Sequence, residues 1–159
     1  DTEGSLCNFS FSTLSGSNLT NAKFQVCDFN SCQAIGIKAA SADFTGSEFK
    51  GAKMDSSILK NSKLNFCNFS EASLQKCDLS GAKLFFGLIQ NTQLNSSNLK
   101  GVVLVGAKAN GSKLNDTILE NTNLTKADFS NSILNGAKMN GVLDLETVYD
   151  GASMKGVTR

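Results

Sequence analysis

A five-residue period runs through almost the whole chain and restricts its fold more than any other feature. With centres placed at 9, 14, 19 and every fifth residue to 139, the 27 centres comprise fourteen Leu, seven Phe, three Ala, two Met and one Ile. None is polar. Two residues before each centre stand eight Ala, eight Ser, five Cys and three Thr, the exceptions being Ile37, Gly87 and Val102. A period of five matches neither an α-helix near 3.6 nor a flat strand of two, so the apolar positions cannot share one face of either element. They all point inward only if the chain turns a corner every five residues.

The corners carry their own signature. Two residues after the centre, ten of the 27 units have Gly and five have Asn (Asn21, Asn61, Asn91, Asn121, Asn131). Gly and Asn tolerate the positive φ required at the third position of a type II turn. The chain has no Pro, which suits a coil whose N–H groups pair with neighbouring coils. The residue two before the centre must be small because it sits beside the corner. Ser and Thr there are expected to hydrogen-bond to nearby backbone. Ile37 lies between the undersized centres Ala34 and Ala39, which reads as volume compensation within the core.

The phenylalanines set the number of sides. At a period of twenty, Phe9, Phe29, Phe49, Phe69 and Phe129 share one column and Phe24 and Phe44 its neighbour. A period of fifteen groups them less cleanly but stays open. The expectation is an all-β solenoid with four five-residue sides per coil, about seven coils, and aromatic stacking between levels.

Triplets such as Ala42-Asp43-Phe44, Cys77-Asp78-Leu79 and Ala127-Asp128-Phe129 resemble the pentapeptide repeat family, whose motif is roughly Ala-Asp/Asn-Leu/Phe-X-X. The resemblance covers residues 7–141 and resumes at 147–149 and 152–154. It implies a right-handed quadrilateral β-helix; the handedness comes from the family alone. The chain is expected to be a single domain over 1–159, with regular repeats at 7–141. The register fails at Asp144, so 142–159 is expected to be an irregular segment capping the open end. Leu6, Phe9 and Phe11 offer little cap at the other end, which leaves a missing upstream segment and end-to-end association both open.

Composition excludes several function classes. Fifteen basic and fourteen acidic residues leave a net charge of +1, which argues against direct nucleic-acid binding and against a polyanion that imitates DNA. The chain has no His, so the usual general base near neutral pH is missing. Two-residue corners leave no loop to shape a cleft. No enzyme activity, cofactor or metal is expected. No apolar run is long enough to span a bilayer, and Asp1-Thr2-Glu3-Gly4 lacks both Met and signal-peptide character. A trimmed, processed or partial chain fits that start.

Most individual candidates are products of the repeat itself. Cys7, Cys27, Cys32, Cys67 and Cys77 all fall at the small inward position. They read as buried thiols, with a Cys7–Cys27 disulfide the alternative. Free thiols weakly favour a cytoplasmic location. Asp28 and Glu48, like Lys63 and Lys83, stack on adjacent coils, and an ordinary solvated surface is their default reading. Sequons such as Asn8-Phe9-Ser10 are by-products of the repeat. The outward apolar residues Phe66, Phe85, Phe86, Leu88, Val103 and Val105 are expected to form one exposed patch, with Val26 farther along the rod. Ile58, Ile118 and Ile133 are outward but scattered.

The leading expectation is therefore a non-enzymatic rod or scaffold for an unidentified protein partner, with a homodimer through an end or the patch as one option. The family resemblance implies an alternative, since some members bind DNA gyrase and protect it from quinolones. The repeat module of a longer bacterial effector is a third reading.

Overall fold

In a computed structural model, which describes residues 3–159, the chain winds as a ladder of parallel pairings spaced twenty residues apart. Strand β1 (Glu3–Ser5) pairs in parallel with strand β2 (Lys23–Gln25), with Gly4 opposite Phe24. Beyond them the ladder consists of single parallel bridges such as Asn8↔Asp28, Asp28↔Glu48 and Glu48↔Asn68. The period is twenty, not fifteen, and each coil has four sides. Asp1 and Thr2 of the opening tetrapeptide lie outside the described residues.

Each corner is a tight turn in which the carbonyl of the centre accepts the N–H three residues on, as in Ser47 to Phe44 at 2.9 Å and Ala52 to Phe49 at 3.0 Å. Positive φ recurs at every fifth residue from Leu6 to Gly156, two after each centre. The turn dictates that conformation whatever side chain occupies the site, so Phe, Val and Lys adopt it alongside Gly and Asn.

The interior is dry and closely packed. Phe29 stacks on Phe49 with centroids 4.8 Å apart, and Phe49 on Phe69 at 4.7 Å, which matches the spacing between paired strands. Phe24 and Phe44 meet this column edge to face, the arrangement the ring quadrupole favours. Ile37 is buried beside Ala34 and Ala39 in the same core. Small-position hydroxyls bond to the backbone in two ways. Ser62 donates to Leu59 O within its own coil at 2.6 Å, whereas Ser47 donates to Phe24 O of the coil before at 2.7 Å. Cys67 Sγ takes the second route, to Phe44 O at 2.9 Å.

One N–H per side, that of the residue after the centre, has no backbone acceptor in the ladder. The Asp or Asn before the centre often accepts it: Asp28 from Asn30 at 2.8 Å, Asn68 from Ser70 at 3.0 Å, Asp128 from Ser130 at 2.9 Å. This is the physical reason for Asp or Asn in the motif.

The expected irregular segment 142–159 is instead a further turn of the same coil. The bridges Asn123↔Leu143, Asp128↔Val148, Ile133↔Ser153 and Lys138↔Thr158 carry the ladder through it. The column Phe9, Phe29, Phe49, Phe69, Ile89, Ala109, Phe129, Tyr149 thus has eight levels rather than about seven. Asp144 keeps its centre position because it lies at the end of the core, where Arg159 Nη1 reaches its carboxylate at 3.1 Å. The turn still closes, Thr147 N–H to Asp144 O at 3.1 Å. Val142, Tyr149, Met154 and Val157 are half-buried, since this coil packs on one neighbour only.

Candidate functional site

No pocket and no metal-holding cluster occurs among the described residues, so any site lies on the surface of the rod. Cys32, Cys67 and Cys77 are inert by position. All five are free, and Cys7 stands above Cys27 as a hydrogen-bond neighbour, its N–H 3.3 Å from Cys27 Sγ. Burial pushes the Cys32 thiol up to about 11 and those of Cys67 and Cys77 up to about 12. A thiol held protonated in this way is a poor nucleophile and a poor metal ligand.

The stacked charges resolve into local pairings. Asp28 accepts the Asn30 N–H and Glu48 accepts from Asn68 Nδ2 at 2.8 Å, so the two carboxylates serve different partners. Lys63 reaches down to Asp43 at 3.4 Å, leaving Lys83 without an ion pair among the described residues. Burial raises the Asp43 pKa, but hydrogen bonds from Thr45, Gln25 and Lys63 outweigh it and hold the carboxyl below its ordinary value.

The outward apolar residues are brought together along one corner and the two sides that meet there. Phe66 and Phe86 are its exposed members, at 59% and 55%. Their rings stack in parallel, centroids 5.8 Å apart with planes 10° off. Phe85, Leu88, Val103 and Val105 are half-buried rather than exposed: Leu88 and Val103 stand on flat sides between the coils above and below, and Phe85 and Val105 occupy the first central position of the corner turns. The patch is therefore a ridge with partly shielded flanks.

The ridge is longer than the sequence patch. Its corner column reads Leu6, Val26, Gly46, Phe66, Phe86, Gly106, and only then Lys126 and Glu146, which pair at 3.8 Å. Leu6 at 81% and Val26 at 57% are exposed. The column is visible in the sequence once corner residues are aligned at a period of twenty. On the two sides that meet at this corner, the last coil adds exposed Leu143, Leu145 and Val148. Ile58 is exposed, as is Ile35, and both stand apart from the ridge.

The pentapeptide repeat family (described as "Pentapeptide repeats") matches in eight copies over residues 5–38, 59–85, 89–125 and 103–141. The chain belongs to that family. Among curated proteins, it is 30% identical over 83 residues to the pentapeptide repeat protein QnrB4 of Escherichia coli. It is 32% identical over 83 residues to the quinolone resistance pentapeptide repeat protein QnrB96 of Scandinavium goeteborgense. Each match takes in 46% of this chain and 39% of the relative, so the chain spans well under half the length of the curated relatives it matches. Among solved structures, a trypsin-treated variant of QnrB1, a plasmid-mediated fluoroquinolone resistance protein, superposes with a TM-score of 0.60 at 19% identity. That superposition covers 93% of this chain and 80% of that one. At such identity the likeness concerns the fold: this pentapeptide repeat chain is a four-sided β-helix. No helix among the described residues is long and apolar enough to cross a membrane.

Proposed function

We propose that this chain is a non-catalytic rod that binds a protein partner, and that the partner is DNA gyrase. The observation that carries the gyrase reading is the identity to two Qnr proteins, one named for quinolone resistance. An interior filled by side chains and the lack of a pocket among the described residues support a role in binding rather than catalysis. Phe66, Phe85, Phe86, Leu88, Val103 and Val105 form the contact surface in this reading. Buried, reduced thiols accord with a cytoplasmic site of action.

The near-zero net charge gives the reading a clear consequence. Binding to gyrase would run through apolar contact rather than through imitation of a phosphate backbone, and would persist at raised salt. In a supercoiling assay with a quinolone present, the chain should restore activity at micromolar concentration, and Phe66→Ser with Phe86→Ser should not. No change in supercoiling, with or without quinolone, would remove gyrase as the partner.

A further inference from the structure

Among the small inward positions, one pair of cysteines is stacked on adjacent levels. Cys7 stands directly above Cys27, and the column continues with Ser47 and then Cys67. The levels on either side of Cys32 hold Ser12 and Ala52, and those on either side of Cys77 hold Ser57 and Ser97. The two stacked sulfurs also meet at a common residue. Cys27 Sγ accepts the Cys7 N–H at 3.3 Å and lies 3.6 Å from the Gly4 carbonyl oxygen. Cys7 Sγ leans over Gly4, close enough that a Cβ there would stand 2.7 Å from it. Gly4 takes the centre position of its side, which from 9 to 139 always holds a larger residue. Its missing side chain lets both sulfurs gather there.

The two thiols differ in access. Cys7 is half-buried in the first coil and Cys27 is fully buried beneath it. Burial raises the Cys27 thiol above its ordinary value. Cys7 is therefore the thiol that a reagent reaches from solvent, and Cys27 the one that waits behind it. Paired levels stand about 4.8 Å apart, inside the range of Cα separations that a disulfide spans. Phe9, Leu14 and Leu19 of the first coil are half-buried, whereas the centres from Phe24 to Met139 are buried. The first coil thus yields more readily than the others to the small shift that closing the bond requires.

We infer that Cys7 and Cys27 form a reversible disulfide site, closed by small disulfides of the glutathione type, which clips the first coil to the second. The inference does not depend on what the rod binds. The Cys7 thiolate attacks one sulfur of oxidised glutathione, that S–S bond breaks, and one glutathione leaves as its thiolate. The Cys27 thiolate then attacks Cys7 Sγ of the mixed disulfide, and the second glutathione leaves. The protein pair gives up two electrons and two protons, and the reagent becomes two glutathione thiols. Excess reduced glutathione runs the exchange backward. Cys32, Cys67 and Cys77 take no part, being buried without a cysteine on the adjacent levels. The closed bond spans one full turn of the coil, so the first coil can no longer peel away freely from the second.

The test incubates the folded full chain with oxidised glutathione at neutral pH, alkylates it in denaturant, and digests it with trypsin, which cuts after Lys23 and Lys38. Peptides 1–23 and 24–38 should appear joined, two hydrogens lighter than their sum apart from the alkyl group on Cys32. Cys27→Ser should stop the reaction at a mixed disulfide on Cys7, and Cys7→Ser should leave Cys27 free of glutathione. Serine already serves this position at Ser12 and Ser47, so both variants should keep the coil. Cys32→Ser should leave the joining unchanged. Amide hydrogen exchange over residues 3–22 should slow by about tenfold or more on oxidation and recover with dithiothreitol. No joined peptides in excess oxidised glutathione, or joining in denaturant alone, overturns the site. So does a bond from Cys27 to Cys32, or one between the Cys7 residues of two copies. Joined peptides with unchanged exchange overturn the clip.

Discussion

Two phenylalanine stacks run along this rod, one inside and one outside. Phe29, Phe49 and Phe69 stack at 4.8 and 4.7 Å with almost no exposure, while Phe66 and Phe86 stack at 5.8 Å with more than half of each side chain in solvent. Both arise from the same cause, like residues twenty apart placed above one another. The inner stack removes its full apolar surface from water and fills space that nothing else fills. The outer stack removes little, and its members sit in a backbone conformation suited to Gly or Asn. Parallel stacking of like rings thus supports the fold in one place and costs a little in the other. What separates them is which of the five positions the residue occupies.

The difference can be attacked from both sides. The largest effect is expected inside: Phe49→Ala should lower stability by about 3–5 kcal/mol in denaturant unfolding, since the rigid coils above and below cannot close the void. The interior should next reveal itself at high pH. Burial raises the thiols of Cys32, Cys67 and Cys77 and the phenol of Tyr149, the phenol to about 12. A group raised in the fold adds stability that is complete below its unfolded value and lost as pH climbs toward the folded one. Stability should therefore decline from about pH 9 upward by about 1.4 kcal/mol per pH unit for each ionising thiol, and Cys67→Ala with Cys77→Ala should flatten that decline. Unfolding curves at stepped pH provide the check.

At the corners the effects are smaller and depend on what leans over them. A Cβ on Gly111 would clash with Asn91 Oδ1, whereas one on Gly101 would meet nothing within 4 Å, and both residues have positive φ. Gly101→Ala should cost about 1 kcal/mol from the backbone alone, and Gly111→Ala more, as thermal melts of the two would show. The smallest effect, and of opposite sign, should come from the outer stack. Phe86→Asn recreates beneath Gly106 the pairing that Asn91 makes beneath Gly111, and should leave the melting midpoint unchanged or raise stability by up to about 0.5 kcal/mol.

Much of this was legible in the residues. The five-residue period, the two inward classes and the Gly/Asn corners lead directly to the ladder, and the phenylalanine columns lead to four sides. Other structural features were not legible. The motif Asp or Asn looked merely polar until its Oδ1 was seen to take the one N–H per side that the ladder leaves over. Asp144 looked like the end of the coil, because a polar centre is forbidden in a dry core, but tolerable where Arg159 can reach it. Exposure within the apolar group was not legible either: Phe66 and Phe86 are exposed, whereas Leu88 and Val103 on the flat sides and Phe85 and Val105 in the turns are half-buried. The lean of each corner side chain over the next coil, which puts Gly above Asn61, Asn91, Asn121 and Asn131, depends on rotamers that spacing does not specify.

The twenty-residue pairing has a bearing on how such a chain can change over generations. Gain or loss of five residues keeps every inward position inward, yet turns all that follows by a quarter revolution. Leu6 and Val26 would then move to a different edge from Phe66 and Phe86, and the inner phenylalanine column would be broken at the same level. Only steps of twenty preserve both the packing and the alignment of what the rod displays. Length variants of this molecule should therefore keep the coil and differ in what they display.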